Sequence, residues 1–141
     1  MKNWQEKPRI LIVDDDDEFI ADLKVLLSSE FEICTASGTE QAGRIIDRYR
    51  PECLLLDLKM PAYFGDNPNE EGFSFLKYIR DGKGELPHRD LPVIIITASE
   101  ADARNRAREF AISTLYPKPP DIKRLKASIW NLVQEVRGTA S

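Results

Sequence analysis

The chain has 141 residues with 24 acids, 20 bases and one histidine, a formal net charge of -4. That length makes one domain with a real core, and no apolar run nears the roughly 20 residues of a membrane helix. The first residues, MKNWQEKPR, lack an apolar signal core, so the expected compartment is the cytoplasm. Two lone cysteines, Cys34 and Cys53, form neither a disulfide framework nor a CxxC pair.

Charge is uneven along the chain. Residues 1–99 hold 12 bases and 19 acids, a balance of -7, and residues 100–141 hold 8 bases and 5 acids, a balance of +3. The acidic excess argues against direct nucleic-acid binding. Five acids stand in a row from Asp14 to Glu18.

In chain order, short apolar runs alternate with longer amphipathic stretches. The runs are Ile10–Val13, Phe31–Thr35, Cys53–Leu56, Val93–Ile96 and Ile112–Tyr116. Three are continuously apolar for four residues, as in strands covered on both faces of a parallel sheet. Between them, apolar positions recur at a helical period. They are Ile20, Leu23, Leu26 and Leu27; then Ala42, Ile45, Ile46 and Tyr49; then Phe73, Phe75, Leu76 and Ile79. The last set is Ile122, Leu125, Ile129, Leu132, Val133 and Val136. A fourth helix, about 100–110, has only Ala103, Ala107 and Phe110 on its apolar side and should pack least firmly. Pro51 and Pro92 stand just ahead of strands, where the preceding helices have ended.

Five alternations of strand and helix predict an α/β fold, a (βα)5 doubly wound parallel sheet with right-handed crossovers. The predicted divisions are a tail at 1–8, one domain at 9–137 and a tail at 138–141. In such folds ligands sit at the carboxyl ends of the strands. The first run ends in Asp14-Asp15, the third in Asp57, the fourth in Thr97-Ala98 and the fifth in Lys118-Pro119. Three carboxylates gathered at one edge repel unless a cation joins them. Hard oxygen ligands suit Mg2+. The remaining lysine and hydroxyl suit a phosphoryl group. A carboxylate, already ionised at pH 7, can attack phosphorus without a general base.

ILIVDDD, LLLDLKMP, IIITA and the late KP resemble the receiver domain of two-component response regulators (the CheY-like superfamily) over about residues 8–137. The resemblance implies the flavodoxin-like strand order 2-1-3-4-5. It implies Asp57 as phosphoacceptor, Asp15 and Asp57 as Mg2+ ligands, Asp14 acting largely through water, and the backbone carbonyl of Lys59 as a further ligand. Thr97 would hydrogen-bond the phosphoryl group and move toward it, Lys118 would pair with its oxygens, and the Lys118–Pro119 bond would be cis. Ala98 is small and would leave the acceptor accessible. The donor would be a sensor histidine kinase or histidine phosphotransfer protein. The output protein would meet the face of the fourth helix, fifth strand and fifth helix, where a homodimer could also form. Such a domain assists its own phosphorylation and dephosphorylation and is not an enzyme for a separate metabolite.

Other residues have plainer readings. Asp16 and Asp17 fit a helix start, Glu18 solvent, and Cys34 and Cys53 the core. His88 falls in a polar loop, Trp4 in a tail, and Trp130 on the last helix, in the core or half exposed. The basic tract Arg104, Arg106, Arg108, Lys123, Arg124 and Lys126 reads as solvated charge, or as a surface for an acidic partner.

Two features depart from the family. Ten residues, Ala62–Glu71, separate Pro61 from Gly72, more than is usual there, with three acids and no base. This loop either screens the site, contributes to partner choice, or is a tolerated insertion. The aromatic that many receivers carry three residues before the lysine is Leu115 here, and Tyr116 falls on the opposite strand face. No output segment follows the last helix, so a stand-alone receiver is expected rather than a piece of a longer regulator. Two other functions compete. A haloacid-dehalogenase-type phosphohydrolase would use Asp14 and Asp16 with Thr97 and a later lysine, leaving Asp57 unexplained. A degenerate receiver would bind partners without phosphorylation.

Overall fold

A computed structural model describes residues 6–82, 90–98 and 103–140. Five strands form one parallel sheet: β1 (Arg9–Val13), β2 (Glu32–Ala36), β3 (Cys53–Leu56), β4 (Val93–Thr97) and β5 (Thr114–Pro117). Their order is β2-β1-β3-β4-β5, as expected. Four α-helices are described: α1 (Asp17–Leu27), α2 (Thr39–Tyr49), α3 (Glu71–Arg80) and the last helix, α4 (Ile122–Ala140).

The continuous apolar runs follow from two-sided burial, because successive strand residues point to opposite faces. Leu11, Val13, Leu54, Leu56, Val93 and Ile95 pack with α2 and α3 residues such as Ala42, Ile46, Phe75 and Leu76. Ile10, Ile12, Cys53, Leu55, Ile94 and Ile96 pack on the other face with Ile20, Leu23, Leu125, Ile129 and Val133. Each large apolar side chain so buried contributes about 1.5–3 kcal/mol. The three continuous runs are the three inner strands, and the two mixed runs are the edges.

Edges account for the differences from the sequence reading. β2 starts at Glu32, so Phe31 lies just before it, yet Phe31 is buried and packs its ring, tilted by 41°, 5.4 Å from that of Trp130. β5 starts at Thr114, two residues later than expected. Cys34 is half-buried, because β2 has no neighbour beyond it, while Cys53 is fully buried. Leu26 is 47% exposed, since Ile20, Leu23 and Leu27 already fill the inner face of α1. Val136 is exposed near the end of α4. Of the expected fourth helix, residues 100–102 lie outside the described residues, and the described part ends in a 3₁₀ turn at Ala107–Phe110. Trp4 and His88 also lie outside the described residues.

Candidate functional site at the carboxyl edge of the sheet

The sheet ladder continues past the strands and fixes the acids. The amide of Asp14 donates to the Ala36 carbonyl at 3.1 Å, and that of Asp57 to the Val13 carbonyl at 3.0 Å. Thr97 is the last residue of β4, opposite Pro117 at the end of β5, and Lys118 follows. Four strand ends thus bring together residues up to 104 positions apart.

Asp14 and Asp57 are buried, at 2% and 7% exposure, as is Thr97 at 1%, whereas Asp15 is exposed. One carboxylate oxygen from each of Asp14, Asp15 and Asp57 lies within 4.8 Å of the others. The Lys118 ammonium donates to this group: its Nζ is 3.0 Å from Asp14 Oδ2 and 3.4 Å from Asp57 Oδ2. Asp16 is farther, at 3.9 Å. Below Nζ, the Phe19 ring centroid lies at 4.6 Å, an arrangement that favours a cation. The Lys118–Pro119 peptide is cis.

Burial pushes the Asp14 carboxyl above its usual range, against the pull of the Asp16 amide and Lys118, and the Asp57 charge adds to the rise. Burial would lower the Lys118 pKa, but its bond to Asp14 and the charges of Asp14 and Asp57 outweigh that and raise it. The Lys118 ammonium thus contacts two members, Asp14 and Asp57, of a cluster of three carboxylates. Clustered hard oxygen donors with excess negative charge fit Mg2+.

The acidic run divides as its sequence suggests. Asp16 is the N-cap of α1, accepting from the Phe19 amide at 3.1 Å, and Asp17 and Glu18 lie in the first turn. The Asp16 amide in turn donates to Asp14 Oδ1 at 2.9 Å. Asp57 Oδ1 accepts from the Leu58 amide at 2.7 Å. Beyond Leu58 and the exposed Lys59, the chain enters the long loop.

That loop is tied down by Glu71, a residue to which no sequence motif draws attention. Glu71 is fully buried. It accepts from Thr39 Oγ1 at 2.6 Å, the Phe64 amide at 2.9 Å and the Gly65 amide at 3.1 Å. Phe64 stacks on Tyr78 at 4.5 Å, so the first half of the loop lies over α2 and α3 rather than over Asp57. The second half forms a 3₁₀ turn at Pro68–Glu70 and returns toward the site. There a cavity of about 340 Å3 is lined by Leu58, Lys59, Glu70, Phe73, Thr97 and Arg106, among others. Gly72 then passes close to the chain just after β3: a Cβ there would lie 2.7 Å from the Asp57 carbonyl oxygen.

Tyr116 and Leu115 occupy opposite faces of β5. The Tyr116 hydroxyl is held by Ser128 Oγ and, at 3.1 Å, by the Arg124 carbonyl. It is tied to α4, on the face away from Leu115. Of the basic tract, Lys126 pairs with Glu30 at 2.9 Å and Arg106 with Glu70. Glu30 also accepts from the half-buried Trp130 at 3.0 Å.

Residues 10–130 match the model of the family described as response regulator receiver domain. The transcriptional regulatory protein PrrA of Mycobacterium tuberculosis is 30% identical over 136 residues, covering 95% of this chain and 53% of that protein. The sensor histidine kinase TmoS of Ectopseudomonas mendocina is 24% identical over 129 residues, covering 91% of this chain and 12% of the kinase. The chain spans about half the length of PrrA. The solved N-terminal signal receiver domain of a two-component system response regulator from Bacteroides fragilis is 26% identical, with a TM-score of 0.75, covering 91% of this chain and 98% of that one. A response regulator receiver domain protein from Clostridium thermocellum shares the fold at a TM-score of 0.78 and 23% identity, covering 92% and 97%.

Proposed function

Because the chain belongs to the response regulator receiver domain family, we propose that it is a switch set by phosphorylation of Asp57. The observation that carries this reading is the Lys118 ammonium, which bridges Asp14 and Asp57 at 3.0 and 3.4 Å beside the buried Thr97. The phosphoryl donor is a sensor histidine kinase or a histidine phosphotransfer protein. An Asp57 oxygen attacks phosphorus, forming the O–P bond as the N–P bond to the donor imidazole breaks. The imidazole keeps the electron pair and takes up a proton.

The residues divide the work as follows. Asp57 Oδ1 is oriented by the Leu58 amide, which leaves Oδ2, the atom facing Lys118, as the nucleophile. Lys118 then pairs with phosphoryl oxygens, and the Thr97 hydroxyl donates to another. Asp15, Asp57 and the Lys59 carbonyl would hold Mg2+, with Asp14 acting through water. Bound there, the ion supplies positive charge to the phosphoryl oxygens during transfer. Asp16, the second acid that a haloacid-dehalogenase-type phosphohydrolase would need, is engaged as the cap of α1.

The aspartyl phosphate shifts a two-state equilibrium, and the segment before β5, β5 itself and α4 form the face that an output protein or a second copy meets. With Tyr116 tied to α4, the signal does not leave through a tyrosine rotating toward Thr97. The domain acts in the cytoplasm. No helix among the described residues is long and apolar enough to cross a membrane.

The test is incubation with Mg2+ and acetyl phosphate followed by mass spectrometry. One phosphate adduct is expected, lost in Asp57→Ala. No adduct with fast sampling, together with no binding of beryllofluoride, would overturn the reading.

A further inference from the structure

The long loop does more than cover α2 and α3: its end reaches the flank of the phosphorylation site and pairs with a cation there. Glu70 forms an ion pair with Arg106, which belongs to the segment leading to β5. The Arg106 guanidinium also lies over the Phe73 ring, 4.3 Å from its centroid. Both charged groups line the cavity whose wall includes Thr97 and the two residues after Asp57. Glu70 is held at this rim by its neighbours: Glu71 is bonded to Thr39, and the Glu70 amide donates to the Asn67 carbonyl at 2.9 Å.

We propose that the Glu70–Arg106 pair is a latch that senses phosphorylation, closed in the unmodified protein and opened by the phosphoryl group. The proposal rests on the reading of Asp57 as acceptor. A phosphoryl group adds negative charge at the end of β3. That charge acts on both halves with one sign of outcome, drawing Arg106 inward and repelling Glu70. The two sites are close: Leu58 and Lys59 join Asp57 directly to the cavity wall, and a Cβ on Gly72, two residues after Glu70, would lie 2.7 Å from the Asp57 carbonyl oxygen, while the Debye length at physiological salt is about 8 Å. Opening releases the Arg106 end of the segment from Ala103 to Phe110 from the loop, while the Phe73–Phe110 stack at 5.3 Å and the Arg80 bond to the Phe110 carbonyl still hold its far end to α3. The loop thereby supplies a two-state contact where Leu115 offers no polar one.

Linkage gives the test. If activation breaks the pair, removing Glu70 removes a cost of activation and tightens beryllofluoride binding. Glu70→Gln in the full chain should bind beryllofluoride with Mg2+ about two- to fivefold tighter, the range set by exposed ion pairs. In an Arg106→Gln background the same substitution should have no effect, since the pair is already gone. Asp66→Asn, which removes another acid of the loop, should not tighten binding. Hydrogen exchange of residues 103–110 should rise with beryllofluoride in the native sequence and be raised beforehand in Glu70→Gln. Equal tightening with and without Arg106 would show a charge effect through space and overturn the latch. So would unchanged affinity and exchange in Glu70→Gln. Failure of the native chain to take up any phosphate would instead overturn the acceptor reading beneath it.

Discussion

Lys118 Nζ lies 3.0 Å from Asp14 Oδ2, joining the carboxyl ends of the first and last strands across a sheet in which those strands are not neighbours. The ammonium offsets the repulsion among Asp14, Asp15 and Asp57. Lys118→Met should therefore destabilise the metal-free protein by about 1.5–3 kcal/mol in urea unfolding, the worth of hydrogen bonds to charged groups. Added Mg2+ should recover part of that loss, since the cation then takes over the compensation of the carboxylates. A variant as stable as the native chain without Mg2+ would contradict this.

Glu71 gives a pH dependence of known sign. Burial would raise its pKa, but the bonds from Thr39 and from the Phe64, Tyr63 and Gly65 amides outweigh that and hold it below the usual glutamate range. A depressed folded pKa contributes stability that is complete above the unfolded value and is lost as pH falls toward the folded one. Glu71→Gln presents an amide where these donors converge, at a cost of about 1–3 kcal/mol at pH 7. Urea unfolding at pH 7 and pH 3 should show a smaller acid-induced loss in the variant than in the native chain.

Gly72 sets how closely α3 approaches Asp57. Its amide donates to the Leu58 carbonyl at 2.9 Å, and a Cβ would sit 2.7 Å from both the Asp57 carbonyl oxygen and Leu58 Cα. Both are backbone atoms with no side-chain freedom to retreat. Gly72→Ala should cost about 1–3 kcal/mol by overpacking. It should also slow the proposed reaction of Asp57 with acetyl phosphate, measured by adduct formation over time, because the backbone that carries Asp57 must move.

Tyr116 anchors β5 to α4. Tyr116→Phe removes its bonds to Ser128 and the Arg124 carbonyl, and should lower stability by about 0.5–1.5 kcal/mol. Beryllofluoride binding, in contrast, should be unchanged within twofold, and the Tyr116 ring signals in NMR should shift little on binding. A large ring shift would restore the tyrosine relay.

What the residues dictate by themselves is local. Four consecutive apolar residues in Ile10–Val13, Cys53–Leu56 and Val93–Ile96 require cover on both faces, so these had to be inner strands of a parallel sheet. Asp16 and Asp17 mark a helix start because the exposed amides of a first turn favour acids. The candidate site was legible too, because a parallel sheet delivers the residue after every strand to one edge whatever the loops do. The tertiary structure decided what depends on partners distant in sequence. Phe31, outside its expected strand, is buried because Trp130 of α4 meets it. Leu26 is exposed because three neighbours fill the face of α1. Glu71, one of three acids in a polar loop, is buried because Thr39, Phe64 and Gly65 supply the donors that a carboxylate in the core needs. Glu70, the next residue along, faces outward to Arg106. No periodicity separates two adjacent glutamates into an anchor and a latch; only the donors that the fold brings to each one do.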